Sequence, residues 1–290
     1  MAIDYHQLKN WVFPEQEHRY TEEDTILYAL GLGFGQDPMD HDQLRFVYEK
    51  GLQAVPSMAV ILGYPGLWMR NPDSGIDMLK VVHGEQRIRL HHPLPSSGTV
   101  IGRSRVTSVV DKGAGKGAVV VVQREVIDKQ SGTTLAMVEQ VTFCRADGGF
   151  SAHGQPSDAL RSVRSALPAR PPDHICDMTT RPEMALLYRL SGDMNPLHAD
   201  PDVARAAGFA RPILHGLGTY GVVCHAILRA CCNYQPERLQ SLGVRFSAPV
   251  FPGETIRTEI WREGDEVHFQ AHVVERATLV LTNGVAQIAR

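Results

Sequence analysis

Residues 217–232 read LGTYGVVCHAILRACC. Apolar or small side chains fall at 217, 220, 221, 224, 227, 228 and 231, the spacing of a helix with one buried face. Gly218 and Gly221 would let that helix approach another element closely. The runs that follow are strands: LGVRFSAPV, TIRTEIWR, EVHFQAHVVE and ATLVLTNGVAQIA. They carry Val, Ile, Thr and aromatic residues between Gly, Pro and Asp turns. The same order occurs upstream. Thr21 caps a helix with Glu22, Glu23 and Asp24 in its first turn, and then come KVVHGEQRIRL, TVIGRSRVTSVV, GAVVVVQREVI and TLAMVEQVTFCR. Each half thus reads as helix first and strands after, an α+β arrangement.

Between the halves, residues 146–172 (ADGGFSAHGQPSDALRSVRSALPARPP) are rich in Gly, Ser, Ala and Pro. They read as a linker, with ALRSVRSAL as a possible short helix. The expected division is 1–150, a linker at 151–172, and 173–290. Tyr28 and Leu30 of the first half recur as Tyr188 and Leu190, and RLHHPLPSSGTV (89–100) lines up with RFSAPVFPGETI (245–256), which suggests duplication of one unit. The halves differ in their main helix. In the first, SMAVIL is cut short by GYPG at 63–66, so a long helix under one sheet and a stub under the other predict an elongated cavity.

Composition narrows the class. The 290 residues are 43% hydrophobic and 21% charged, enough for a substantial core. A net charge of −3 with both signs interspersed argues against nucleic acid or an anionic membrane as partner. Neither a signal-like start nor an apolar run of membrane-spanning length is found. Five cysteines show no metal-type spacing and, being odd in number, no disulfide framework, so a reducing compartment, most simply the cytoplasm, is expected.

The chemistry concentrates at 191–201, SGDMNPLHADP. Proline holds the preceding Asn195 in an extended conformation. Five residues turn a helix about 140° past its start, so Asp193 and His198 can converge only on a bent loop. Asp200-Pro201 reads as an N-cap and first helical position, opening a short helix that ends at Gly208. One reading makes Asp193 and Asn195 turn formers and His198 a satisfied partner. A metal site lacks a second suitably spaced imidazole. The functional reading draws on RPILHGLGTYG, which puts Gly216 at the entry of the apolar helix, where free N–H groups and the dipole can stabilise an oxyanion. At the matching place in the first half stand Gly33, Gly35 and Pro38, so only one half carries the acid and imidazole.

YRLSGDMNPLHADPDVARAAGFARPILHGLGTYG resembles the signature of the type 2 enoyl-CoA hydratases, the MaoC-like dehydratases of the hot-dog fold. YTEEDTILYALGLGFGQDP, KVVHGEQRIRLHHPLP and DKGAG are similar to the N-terminal repeat of two-repeat members, among them the hydratase unit of peroxisomal multifunctional enzyme type 2. VRFSAPVFPGETIRTEIWREG is similar to their C-terminal part. The resemblance implies a double hot-dog in which each long helix is wrapped by a curved antiparallel sheet. The first repeat would be non-catalytic and accommodate acyl and CoA groups. It also implies reversible, R-specific hydration of trans-2-enoyl-CoA to (3R)-3-hydroxyacyl-CoA, a fatty-acid or β-oxidation step. Asp193 and His198 would be the catalytic pair, with Asn195 supporting loop and substrate and Gly216 giving the oxyanion-hole N–H. No metal or cofactor is implied beyond the CoA of the acyl-CoA substrate.

His83 and Gly84 either border the acyl or pantetheine channel or form a strand-start bulge. Arg245 and Phe246 either contact the CoA chain or are ordinary strand residues. His91, His92, His215 and His225 have surface or core roles. Competing functions are a hot-dog acyl-CoA thioesterase and a non-catalytic acyl-CoA-binding subunit. Monomer and homodimer are both compatible with two fused repeats.

Overall fold

The computed structural model describes residues 3–159 and 166–289. Among them ten strands form one sheet: β1 (Gln16–Tyr20), β2 (Val81–Leu90), β3 (Gly98–Asp111), β4 (Ala118–Asp128), β5 (Thr134–Cys144), β6 (His174–Thr179), β7 (Leu239–Phe246), β8 (Thr255–Glu263), β9 (Glu266–Val273) and β10 (Thr278–Ile288). The order is β1-β3-β4-β5-β2-β7-β10-β9-β8-β6. Read outward from the middle, the two halves have the same order, as duplication predicts. They join where β2 pairs antiparallel with β7, Glu85 opposite Arg245 and Arg89 opposite Ser241. The fold is the expected α+β double hot-dog.

The helices are α1 (Tyr5–Lys9), α2 (Glu22–Leu30), α3 (His41–Leu44), α4 (Met184–Tyr188), α5 (Pro201–Ala206) and α6 (Gly216–Cys231). Thr21 and Asp24 form a reciprocal capping box on α2. The expected buried stripe understates α6, whose residues from Gly218 to Leu228 are all buried. One side packs on its own sheet, where Ile256, Ile260, Phe269 and Leu281 are fully buried. The other side meets the first repeat. Leu32 lies so close that a Cβ on Gly221 would come within 2.3 Å of it, and Phe34 stacks on His225 with ring centroids 3.7 Å apart. Burying a side chain such as Leu32, 2% exposed, contributes roughly 2 kcal/mol. None of the helices among the described residues is long and apolar enough to cross a membrane.

The first repeat departs from the implied pair of long helices. In place of α6 it has a single 3-10 turn, Pro56–Val60, followed by Gly63 and Gly66 at φ 61° and 74°. The chain is turned away there, as GYPG predicted.

One expectation needs correction. A strand precedes the helix in each half: β1 and β6 were missed because QEHRY and HICDMT lack apolar alternation. Both are sheet edges, and β6 is held to β8 partly by the two-pronged Asp177–Arg257 ion pair at 2.7 Å. Residues of the linker region pack on the first repeat. Phe150 is buried, and Asp158 takes hydrogen bonds from Tyr5, Lys9 and the Val109 amide. The helix expected over 159–167 lies largely outside the described residues.

Candidate active site

The loop after α4 turns at Gly192, whose φ of 116° favours glycine. The Asp193 carboxylate accepts from the Asn195 amide at 3.1 Å, and the Asn195 side-chain oxygen accepts from the Leu197 amide at 3.2 Å. Asn195 is extended at φ −56°, ψ 122°, and Pro196–His198 form one 3-10 turn. Asp200 then caps α5 by accepting from the Asp202 and Val203 amides. Turn chemistry therefore fixes the loop, and Asn195 serves it as a cap. The bend brings Asp193 and His198 together, as the spacing required.

A third residue joins them. One ligand atom each from Asp193, His198 and His215 all lie within 4.8 Å of one another. Asp193 is exposed, whereas both imidazoles are buried. His215 was expected to be an ordinary core or surface histidine. Instead it stacks on His198, ring centroids 3.7 Å apart and planes 27° from parallel. Its sequence signal was its place just before the helix, which made it the N-cap of α6.

Main-chain carbonyls set both tautomers, because a carbonyl only accepts. His198 Nδ1 lies 2.8 Å from the Ile213 oxygen and so carries the proton, leaving Nε2 with a lone pair. His215 Nε2 donates to the Asp193 carbonyl at 3.1 Å, leaving Nδ1 unprotonated, buried and without a partner. Burial lowers the His198 pKa below 6.5, opposed by the Ile213 carbonyl and the Asp193 charge. Burial and then the His198 ring push His215 down to about 4. Both rings are neutral near pH 7, and His198 keeps a basic nitrogen.

These three groups are also the set that could hold a metal, two nitrogens and one oxygen.

Gly216 follows His215 directly. The first helical amide to donate back within α6 is that of Thr219, to the His215 oxygen at 3.0 Å, so the amides before it lack intrahelical acceptors. Phe246 covers this end: a Cβ on Gly216 would sit 3.4 Å from its ring. His83 meets the other side of Phe246, edge-on, with centroids 4.8 Å apart. His83 belongs to the first repeat, yet it feels the Asp193 charge, while burial lowers its pKa to about 4. Its Nε2 is buried without a partner. Gly84 forms the bulge that turns His83 inward, where the register slips between His83 and Glu85.

Among the described residues, nine buried side-chain polar atoms lack a partner. Two of them, His83 Nε2 and His215 Nδ1, border this site, where a polar ligand would satisfy them. Arg245 is not brought in. Strand alternation turns it away from Phe246, into an exposed groove of about 460 Å³ across the β2–β7 seam with Glu85 and Arg87.

Comparison with known proteins identifies the family. Residues 18–146 match the MFE-2 hydratase 2 N-terminal domain, and residues 164–284 match the MaoC like domain. The chain is 39% identical over 284 residues to a protein of Arabidopsis thaliana named enoyl-CoA hydratase 2, peroxisomal, covering 94% of this chain and 91% of that one. It is 37% identical to the peroxisomal multifunctional enzyme type 2 of Mus musculus, covering 95% of this chain and 37% of that longer protein. The crystal structure of a MaoC-like dehydratase from Phytophthora capsici superposes with a TM-score of 0.87 at 34% identity, covering 99% of both chains. The chain belongs to the MaoC-like dehydratase family, in its two-repeat type 2 enoyl-CoA hydratase form.

Proposed function

We propose that this protein hydrates trans-2-enoyl-CoA thioesters to (3R)-3-hydroxyacyl-CoA, reversibly. The observation that carries the reading is the convergence of Asp193 and His198 beside the free amides of α6. Hydration of a conjugated thioester needs a base for water, a proton for C2, and a donor for the enolate oxygen. His198 Nε2 and the Asp193 carboxylate hold one water between them. Its oxygen bonds to C3, one proton passes to the pair, and the pair returns a proton to C2 on the same face. The two groups titrate as a unit. The thioester oxygen, negative in the transition state, accepts from the Gly216 amide. General acid–base help is typically worth ~10²–10⁴-fold, and an oxyanion donor roughly 3–4 kcal/mol.

The reaction calls on no metal or redox cofactor. His83 and Phe246 flank the acyl or pantetheine path in this reading, and the truncated helix of the first repeat leaves room for medium, long or bulky acyl groups. A fatty-acid β-oxidation step fits such a substrate. Five free cysteines suit a reducing compartment, cytoplasmic in the simplest case, although the names of two relatives place those proteins in the peroxisome. Monomer and homodimer both suit a fused pair.

The test is a chain-length series of trans-2-enoyl-CoA, following loss of enoyl absorbance with chiral analysis of the product. Thiol release without enoyl loss would indicate a thioesterase instead. Tight binding with neither signal would indicate a binding subunit.

A further inference from the structure

The inward face of β9 is apolar from end to end: Val267, Phe269, Ala271 and Val273 are all buried. The corresponding central strand of the first repeat is β4. Its inward face carries Val120, Val122 and Val126, and in their midst Arg124, 4% exposed. A guanidinium buried on an apolar strand is costly unless a counter-charge meets it. Among the described residues no carboxylate pairs with Arg124. Nη2 donates to the Ala59 and Val60 carbonyls at 3.3 and 2.6 Å, the end of the 3-10 turn that stands in for a long helix. Nε is buried without a partner. Its ladder neighbours are Ser104 of β3 and Val138 of β5, neither of them charged, and the Ser104 hydroxyl is itself buried without a partner.

The titratable groups that feel the Arg124 charge do not balance it. They are Tyr64, whose ring lies 5.6 Å from the guanidinium carbon, and His18. Burial raises the Tyr64 hydroxyl above its ordinary 10 and lowers His18 below its ordinary 6.5, so both are neutral near pH 7. Burial pushes Arg124 only to about 10, so it keeps its charge there.

Arg124 also has a cavity to face. With Tyr64, Met69, Val138, Gln140 and Thr142 it lines a space of about 20 Å³. That is room for one particle of about the size of a water, and too little for phosphate, sulfate or an organic acid. The lining holds no acid. The Gln140 amide donates to the Thr142 hydroxyl oxygen at 3.4 Å, which leaves the Thr142 proton to be given elsewhere. A water would leave the guanidinium charge unbalanced, whereas a monatomic anion would cancel it.

We infer that this cavity is a halide site, in which one chloride-sized anion accepts from Arg124 and from the Thr142 hydroxyl. The inference is independent of the hydratase reading. Its task is structural: anion and arginine together fix the end of the Pro56–Val60 turn, which stands where the second repeat has α6. A lone water is the competing occupant.

The experiment records melting temperatures of the full chain in rising sodium chloride or bromide, with sodium gluconate holding the ionic strength constant because gluconate is too large for the cavity. The wild type should gain along a saturating curve, by about 2–4 °C once halide reaches about tenfold its Kd. Arg124→Met should lose that gain. Its absolute stability is not the readout, since an apolar replacement for a buried charge can stabilise by itself. Thr142→Val should shift the curve to higher halide. Bromide diffused into crystals of the wild type should scatter anomalously beside Arg124 Nε. Identical wild-type melts in halide and gluconate would overturn the inference, and so would an equal gain in Arg124→Met. Bromide confined to the surface, with water in the cavity, would overturn it as well. If Arg124→Met fails to fold, Thr142→Val and the anomalous peak decide.

Discussion

His215 lies face to face with His198 and ties its Nε2 proton to the carbonyl of Asp193, so one side chain braces both members of the proposed catalytic pair. It contacts the pair, and its Nε2 proton is held by the Asp193 carbonyl, which makes it a positioning residue. His215→Ala should lower kcat about tenfold to hundredfold with little change in KM, because small displacements of aligned groups are that costly. His215→Gln, which keeps a donor, should recover part of the loss. Equal kcat in the two variants would remove the positioning role.

Asp193→Asn and His198→Gln should each retain the cooperative melt and lose ~10²–10⁴-fold in hydration. Asn at 193 can still accept from the Asn195 amide, and Gln at 198 can still donate to the Ile213 carbonyl. Near-normal crotonyl-CoA turnover by either purified variant would reject the assignment.

His83, His215 and His225 are each pushed by burial to about 4, from the ordinary 6.5. Their neutral forms are favoured in the fold, so between pH 6.5 and 4 the unfolded chain binds more protons than the folded one. Stability is then complete above pH 6.5 and falls as pH drops towards 4. Thermal melts across that window should show the decline, and His225→Gln should make it shallower. For His198, whose pKa is also lowered, the acid limb of kcat/KM should lie below pH 6.5. A limb above that value would contradict the buried, neutral base.

Gly221→Ala should destabilise the protein by about 1–3 kcal/mol, since a methyl there collides with Leu32 in a filled core. Urea denaturation would read this as a lower midpoint. An unchanged midpoint would mean that the two repeats have room to part.

Prolonged chelation followed by gel filtration should leave hydration unchanged, as an acid–base site requires. Loss of activity that zinc restores would recast Asp193, His198 and His215 as ligands.

Much of this was legible in the sequence where periodicity and turn chemistry act locally. The α6 run, eight of the ten strands, the Thr21 cap and the bent loop at 191–201 all follow from near neighbours. The rest depends on tertiary placement. β1 and β6 gain their conformation from a partner strand and an Arg257–Asp177 bridge, and their own residues carry no signal. His215 is 17 positions from His198 with α5 between them, so their stacking is a tertiary contact. Arg245 could have been set apart from Phe246 by strand alternation alone. Arg124 lies between Gln123 and Glu125, and only the sheet shows that it faces inward.

The ladder joining β2 to β7 has a kinetic consequence. A site assembled from two separate chains empties when its halves drift apart on dilution, whereas tethering keeps the second half at a high effective concentration. Here the tether brings His83 back to the Asp193 corner in every molecule, so specific activity should be the same from nanomolar to micromolar protein.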